Sequence, residues 1–441
     1  MQASGLKSSV IIIIGEGWSG LAAAASLTSR GFKPTVLEAA PQTGGRARSL
    51  ENMNQQLDNG QHIMLGAYTS MLELLHLLNI NPEDVLLRKR LDLKIDYLNK
   101  KGLHLKCSSL FSPLHMLTAL LSTQGLSWRE KGSVIQCWLN ISIRRFRCQP
   151  DISVQQYLTR HGQSIRLIEL FWQPLCLGAL NTPITQASMQ VFMTVLKRSF
   201  TGSRAFSDML LPSTVLGNVI PAPATEYITR HGGQVKTGER VHEISIDNNA
   251  CHVATSKGGY RASTLIMATP ARQTAALLSC HTDFTKLGNN LRALGQQPIT
   301  TLYIQYPESV YIDGDMHGLC GTTTQWLVDR RSCGQPGLIA AVISATGPHM
   351  DMDKATLTNT ILSEVQQVFP HWPQPEDSFL VREKQATFSC TVDINKIRPQ
   401  TGHIGHNIWL AGDYLATGLP ATLEGAVASG LQCARLIMQN A

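Results

Sequence analysis

The stretch that most constrains this chain is Val10 to Ile14, an unbroken β-branched run, followed at once by GEGWSG, Gly15 to Gly20, and then LAAAASLTSRG. A run of this kind reads as a parallel strand buried on both faces. The alanine-rich stretch after it reads as a closely packed helix, so GxGxxG stands in the strand, turn, helix context that gives it meaning. Gly15 permits the tight turn, Gly17 lets a pyrophosphate approach the backbone, and Gly20 lets the helix lie close to the strand. The helix N-terminus offers free N–H groups and a partial positive charge to phosphates. A second strand, PTVLE, ends in Glu38, 18 residues beyond Gly20, where an acid is expected to accept the ribose hydroxyls of an adenosine. These features together predict dinucleotide binding.

At 441 residues the chain is too long for one simple core, which predicts two substructures. The formal charge is +7, but the basic residues are dispersed apart from Arg88-Lys89-Arg90 and Arg144, Arg145 and Arg147, so nucleic acid is not an expected partner. The ten cysteines form no CxxC pair and no regular spacing. They read as reduced, mostly buried thiols, and no metal site is expected. The apolar run at the N-terminus is too short for a signal h-region or a membrane span. A cytoplasmic protein without a transmembrane helix is therefore expected.

PQTGGRARSL follows the acidic strand, and its Gly44-Gly45-Arg46 resembles the GGR motif of the flavin amine oxidase and carotenoid desaturase superfamily. The resemblance implies FAD, with the glycines and the Arg46 guanidinium beside its pyrophosphate. The C-terminal NIWLAGDYLATGLPATLEGAVASG resembles the same superfamily. There Gly412-Asp413 would approach the ribityl chain, and a helix from about Leu423, through Glu424, Gly425 and Ala426, would point its N-terminus at the flavin. Residues 235–246 and 261–271 fit the middle return to the cofactor domain, with Val241 at the position that touches adenine. The fold class implied is α/β: a discontinuous Rossmann-like FAD-binding domain of residues 1–90, 205–275 and 400–441, interleaved with an α+β substrate domain of 91–204 and 276–399.

Leu57 to Tyr68, LDNGQHIMLGAY, places five polar or glycine positions inside a segment that begins and ends as if half-buried. Buried polar groups need partners. Together with GEGWSGLAAA, LFWQPLCLGALNTP (Leu170 to Pro183), SDMLLP and LAGDYLATGLPATLEGAVASG, this segment resembles the hydroxysqualene dehydroxylases, a branch of that superfamily. One departure is Glu16, where small residues are usual; its side chain is expected to project outward. The resemblance implies that Asn59, Gly60, Gln61 and His62 face flavin and substrate. The residue chemistry also allows a surface β-turn at Asp58-Asn59-Gly60, with His62 an ordinary packing residue.

What the resemblance implies for function is FAD-dependent reduction of hydroxysqualene to squalene on a bacterial route towards hopanoids. Hydroxide leaves poorly, so a proton donor is required. Near neutrality His62 suits that task best, with Asp58, Tyr68 or a bound water as alternatives. Tyr68, Trp172, Gln173, Leu175 and Leu177 would line a long apolar pocket for the triterpenoid. Residues 107–147, apolar with aromatics and ending in RRFR, read either as a core helix with a basic end or as a segment lying on an anionic membrane. Competing readings are a polyprenoid desaturase, an amine oxidase and a flavin-free lipid-binding protein. No separate NAD fingerprint is visible, so electrons are expected to arrive from a partner or from transient nicotinamide contact, and the sequence itself names no electron donor.

Overall fold

The computed structural model describes residues 10–98, 100–247 and 250–440; residues 1–9 of the first expected cofactor segment lie outside that range. β1 (Ile11–Ile14) is buried along its whole length, and α1 (Trp18–Thr28) follows it with every residue buried. β2 (Thr35–Leu37), β3 (Gln234–Lys236), β4 (Thr264–Met267), β5 (Gly402–Gly405) and β6 (Ile408–Leu410) complete a six-stranded sheet in the order β3-β2-β1-β4-β6-β5. All neighbours are parallel except β5 and β6. Ile13 stands opposite both Val36 and Ile266, so apolar side chains run across both faces of the sheet centre. Burial on both faces is what an uninterrupted isoleucine run satisfies.

The other large sheet has seven strands, in the order 377–387, 297–305, 338–344, 326–329, 316–320, 92–97 and 100–106. Further strands form a hairpin of residues 49–58 and a small sheet joining 64–65, 86–89 and 209–212. The helices that position the site are α2 (Thr69–Leu77), α3 (Leu114–Ser122), α4 (Trp128–Ile143) and α5 (Met189–Phe200), followed by α6 (Pro221–Arg230) and α7 (Leu423–Gln439). α1 and α7 cross so closely that a Cβ on Gly430 would sit 2.2 Å from the Ser19 carbonyl oxygen. This contact binds the last helix of the chain to the first.

All ten cysteines are free thiols, eight of them buried. No helix of the described residues is long and apolar enough to cross a membrane. Nor do the described residues gather three or more histidine, cysteine or carboxylate side chains that could hold a metal.

Candidate functional site

One cavity of about 690 Å³ runs between the two large sheets. At one end it is bounded by the glycine turn after β1. Gly15 has φ +103°, a conformation glycine adopts without strain, and a Cβ there would meet the Ala268 carbonyl oxygen at 2.7 Å. A Cβ on Gly20 would lie 2.0 Å from the Gly15 oxygen, so this glycine serves the helix contact and stays outside the cavity. Gly17 is different: a Cβ there would meet nothing within 4 Å, because the position opens on the cavity.

Gly44 pairs alongside Gly17, and Gly45, at φ +61°, would bring a Cβ to 3.1 Å from the Gly17 Cα. Bare backbone from two loops thus lines the same stretch of wall. Glu38 also faces the cavity; its Oε2 accepts from the Glu16 N–H and its Oε1 from the Ala40 N–H, both at 2.8 Å. Val241 reaches the wall near Glu38, beside Glu239 and Arg240.

Arg46 lines the cavity, but its guanidinium reaches across to the far end of the chain. Nη2 donates to Asp413 Oδ1 and Nη1 to the Ala386 carbonyl, each at 2.7 Å. Arg46, expected beside phosphates, thereby ties the N-terminal part of the chain to Asp413 near its C-terminal end. Gly412, Asp413 and Leu423 all line the cavity, and α7 begins at Leu423 with the Thr422 hydroxyl accepting from the Gly425 N–H. The positive end of a 17-residue helix is consequently aimed at the site. Glu424 borders the cavity, yet its carboxylate accepts from the Ser70 and Met71 N–H groups, at 2.9 and 3.0 Å, and so caps α2. Its carboxylate is thereby committed to α2, and only the rest of the residue is left to face the cavity.

The polar segment is explained by partners from remote parts of the chain. Asp58 and Asn59 are buried, which excludes the surface turn. Asp58 accepts from the Leu216 N–H and from Arg330 Nη1, both at 2.7 Å, and faces away from the cavity. Arg330 Nη1 also donates to Gln61 Oε1 at 2.8 Å, while its Nη2 is buried with no hydrogen-bond partner. Asn59 Nδ2 donates to the Arg46 carbonyl and to Glu383 Oε2, each at 3.1 Å. Gly60, at φ +108°, turns the chain so that Asn59, Gly60, Gln61 and His62 all reach the cavity wall.

The Gly60 carbonyl accepts from His62 Nδ1 at 2.9 Å. Nδ1 thus carries the hydrogen, and in the neutral ring Nε2 is the lone-pair nitrogen. Burial first, and then the Arg330 and Arg46 charges, hold the His62 pKa below its ordinary value against the opposing pull of Asp58. Tyr68 borders the same cavity, and burial beside Glu424 pushes its phenol pKa upward.

Three sequence expectations are corrected. Glu16 does not project outward: it is fully buried, its Oε1 accepting from the Thr225 hydroxyl of α6 at 2.8 Å and its Oε2 lacking a partner. α6 covers the glycine turn on the side away from the cavity, and desolvation pushes the Glu16 pKa up to about 7. Trp172 points into the protein interior, donating from Nε1 to Gln163 Oε1 at 2.9 Å, and Gln173 is likewise off the cavity wall. Trp172 closes a π-helical turn at residues 168–172 and Gln173 follows it, while Leu175 and Leu177 reach the wall. Arg330, Glu383 and Tyr303, whose hydroxyl donates to the Asp58 carbonyl at 2.9 Å, carry no local sequence signal.

The residues fit FAD. A bare-backbone wall at Gly17 and Gly44-Gly45, the Glu38 carboxylate where a ribose acceptor is expected, and the N-terminus of α7 all border one continuous cavity. Residues 18–438 match the family described as flavin-containing amine oxidoreductase. A hydroxysqualene dehydroxylase of Zymomonas mobilis is 25% identical, with 98% of this chain and all of the relative covered. One from Rhodopseudomonas palustris is 26% identical over 98% of this chain and 99% of its own. A 15-cis-phytoene desaturase of an Oncidium hybrid cultivar is 23% identical over 98% of this chain and 78% of its own. Among solved structures, cyclohexylamine oxidase from Brevibacterium oxydans superposes with a TM-score of 0.70 at 15% identity, covering 98% of this chain and 99% of its own. An oxidoreductase from Methanosarcina mazei gives 0.73 at 16% identity, covering 97% and 99%. The chain is a flavin-dependent oxidoreductase with FAD as its cofactor, and it belongs to the flavin-containing amine oxidoreductase family.

Proposed function

We propose that the enzyme reduces hydroxysqualene to squalene. The observation that carries this reading is the continuity of the cavity. It passes from the dinucleotide wall, past Asn59 to His62, to an apolar end lined by Leu175, Leu177, Phe192, Leu196, Phe200 and Met316. A C30 hydrocarbon needs such a lining, and full-length similarity to two hydroxysqualene dehydroxylases supports the same substrate class.

Reduced FAD supplies the hydride when bound. The C–O bond breaks, a C–H bond forms at the same carbon, and the oxygen leaves as water after gaining a proton. We assign that proton to His62, whose imidazole lies in the segment between the two ends of the cavity. Asp58 is unsuited because both its oxygens are committed and it faces away from the cavity. Gln61, oriented by Arg330, and Asn59, oriented by Glu383, hold the walls on either side of Gly60. The apolar walls exclude water, which leaves the substrate's own π-system and nearby aromatic faces to spread transient positive charge. A substrate of this kind resides in lipid, so peripheral membrane contact belongs to the same reading.

The test is anaerobic. The enzyme's FAD is reduced with dithionite, hydroxysqualene is added in detergent, and flavin reoxidation is followed with product analysis. Stoichiometric squalene and return of the oxidised flavin spectrum are expected. A flavin that stays reduced with the alcohol unchanged overturns the reading and favours oxidative desaturation of a polyprenoid, the reaction named for the Oncidium relative.

A further inference from the structure

Exposed large apolar side chains are concentrated in one part of the surface. Leu110, Phe111, Leu114, Leu117 and Leu121 are all exposed, the last three spaced i, i+3, i+7 along one side of α3, while His115, Ala119 and Leu120 on its other side are buried. On α4, Trp128, Leu139 and Ile143 are exposed at 74%, 54% and 79%. Their spacing places them within about 60° of one another around the helix, on a single stripe. The ends of the two helices are locked together: Lys131 Nζ donates to the Leu121 carbonyl at 2.6 Å and lies over the Trp128 ring. Ile165, 77% exposed, is held beside them because Arg166 bonds Glu130 and the Gly125 carbonyl.

The charge carried by these helices and their flanks is predominantly basic. Exposed Arg129 flanks Trp128, and exposed Arg144, Arg145 and Arg147 follow Ile143. Residues 107–147 contain a single acidic residue, Glu130, and it is paired with Arg166. The same two helices back onto the cavity wall. His115 of α3 bonds the Ser207 hydroxyl at 3.1 Å, and Trp138 of α4 meets Phe200 edge to face at 6.3 Å; Ser207 and Phe200 both line the cavity.

We propose that the exposed faces of α3 and α4, with Leu110, Phe111 and Ile165, form a docking surface for an anionic lipid bilayer. The apolar stripes enter the interface and the arginines meet the headgroups. The identity of the cargo delivered rests on the reading above; the docking itself does not. The surface sets the cavity, one layer of side chains behind it, against the phase in which a polyprenoid dissolves.

The full FAD-loaded chain is sedimented with phosphatidylcholine vesicles with and without phosphatidylglycerol. Binding is expected to the anionic vesicles, weakening as salt rises. F111S/L117S/W128S changes only exposed side chains and is expected to lower the bound fraction about tenfold or more. R144E/R145E is expected to abolish the preference for phosphatidylglycerol. Flavin absorbance and the thermal transition of each variant, unchanged from wild type, show that the fold survives. Wild type that fails to bind anionic vesicles, or a triple variant that binds as well as wild type, overturns the proposal. So does a dimer that this face holds together and that does not bind lipid. Vesicle binding by an enzyme that does not reduce detergent-dissolved hydroxysqualene would sink the substrate reading and leave the docking surface standing.

Discussion

Arg330 donates from Nη1 to Asp58 Oδ2 at 2.7 Å with both side chains sealed from solvent. The same nitrogen holds Gln61, so a buried ion pair fastens the strand end at Asp58 and the cavity loop that follows it. Removing one partner leaves the other charge buried and uncompensated. Arg330→Met is expected to cost about 3–5 kcal/mol in urea unfolding. Asp58→Asn combined with Arg330→Met is expected to recover a large part of that loss. Additive losses in the double variant would show that the pair is not coupled.

Protonated His62 is the acid of the proposed reaction, and its pKa is held below the ordinary histidine value. The active fraction therefore grows as pH falls towards that pKa. Stopped-flow reoxidation by hydroxysqualene is expected to slow progressively from about pH 5 to pH 8. His62→Gln is expected to lower the rate by about 10²–10⁴ and to flatten this profile. A variant that retains the slope would place the titrating group elsewhere.

Glu16 has a folded pKa of about 7 against an ordinary value of 4.5. Between these values the unfolded chain has released the proton and the folded chain has kept it, so stability falls as pH rises through this window. Glu16→Gln removes the penalty. It is expected to stabilise the protein by up to about 3 kcal/mol at pH 8 and by little at pH 4.5, read from denaturant melts at the two pH values.

Gly17 and Gly20 separate cofactor space from packing space. A Cβ at Gly17 meets nothing within 4 Å and the position has an ordinary backbone conformation, with φ −72°, so Gly17→Val is expected to fold. It is expected to give a folded, colourless protein with the wild-type far-ultraviolet spectrum, because the added side chain occupies the wall a pyrophosphate must approach. Gly20→Ala drives a methyl group into the Gly15 carbonyl and is expected to lower the thermal transition itself. A yellow Gly17→Val protein with normal flavin content would argue against this wall as the pyrophosphate site.

Much of the cofactor half was legible because its signals are local. The isoleucine run, the spacing of Gly15, Gly17 and Gly20, the acid at Glu38 and the helix start at Leu423 each depend on neighbours within a few residues, where backbone sterics, capping and periodicity act. Which groups satisfy the buried polar segment was not legible. Arg330 lies 272 residues from Asp58, and Glu383 lies 324 from Asn59. No periodicity links such pairs; the packing of the seven-stranded sheet against the first hairpin brings them together. The same holds for Glu16, whose Oε1 meets the hydroxyl of Thr225 in α6, 209 residues away, and for Trp172, whose partner Gln163 lies inside the protein. In residues 107–147 the sequence determined an apolar, basic composition. Only the tertiary structure decided which side of each helix is buried, because that depends on the cavity wall behind them.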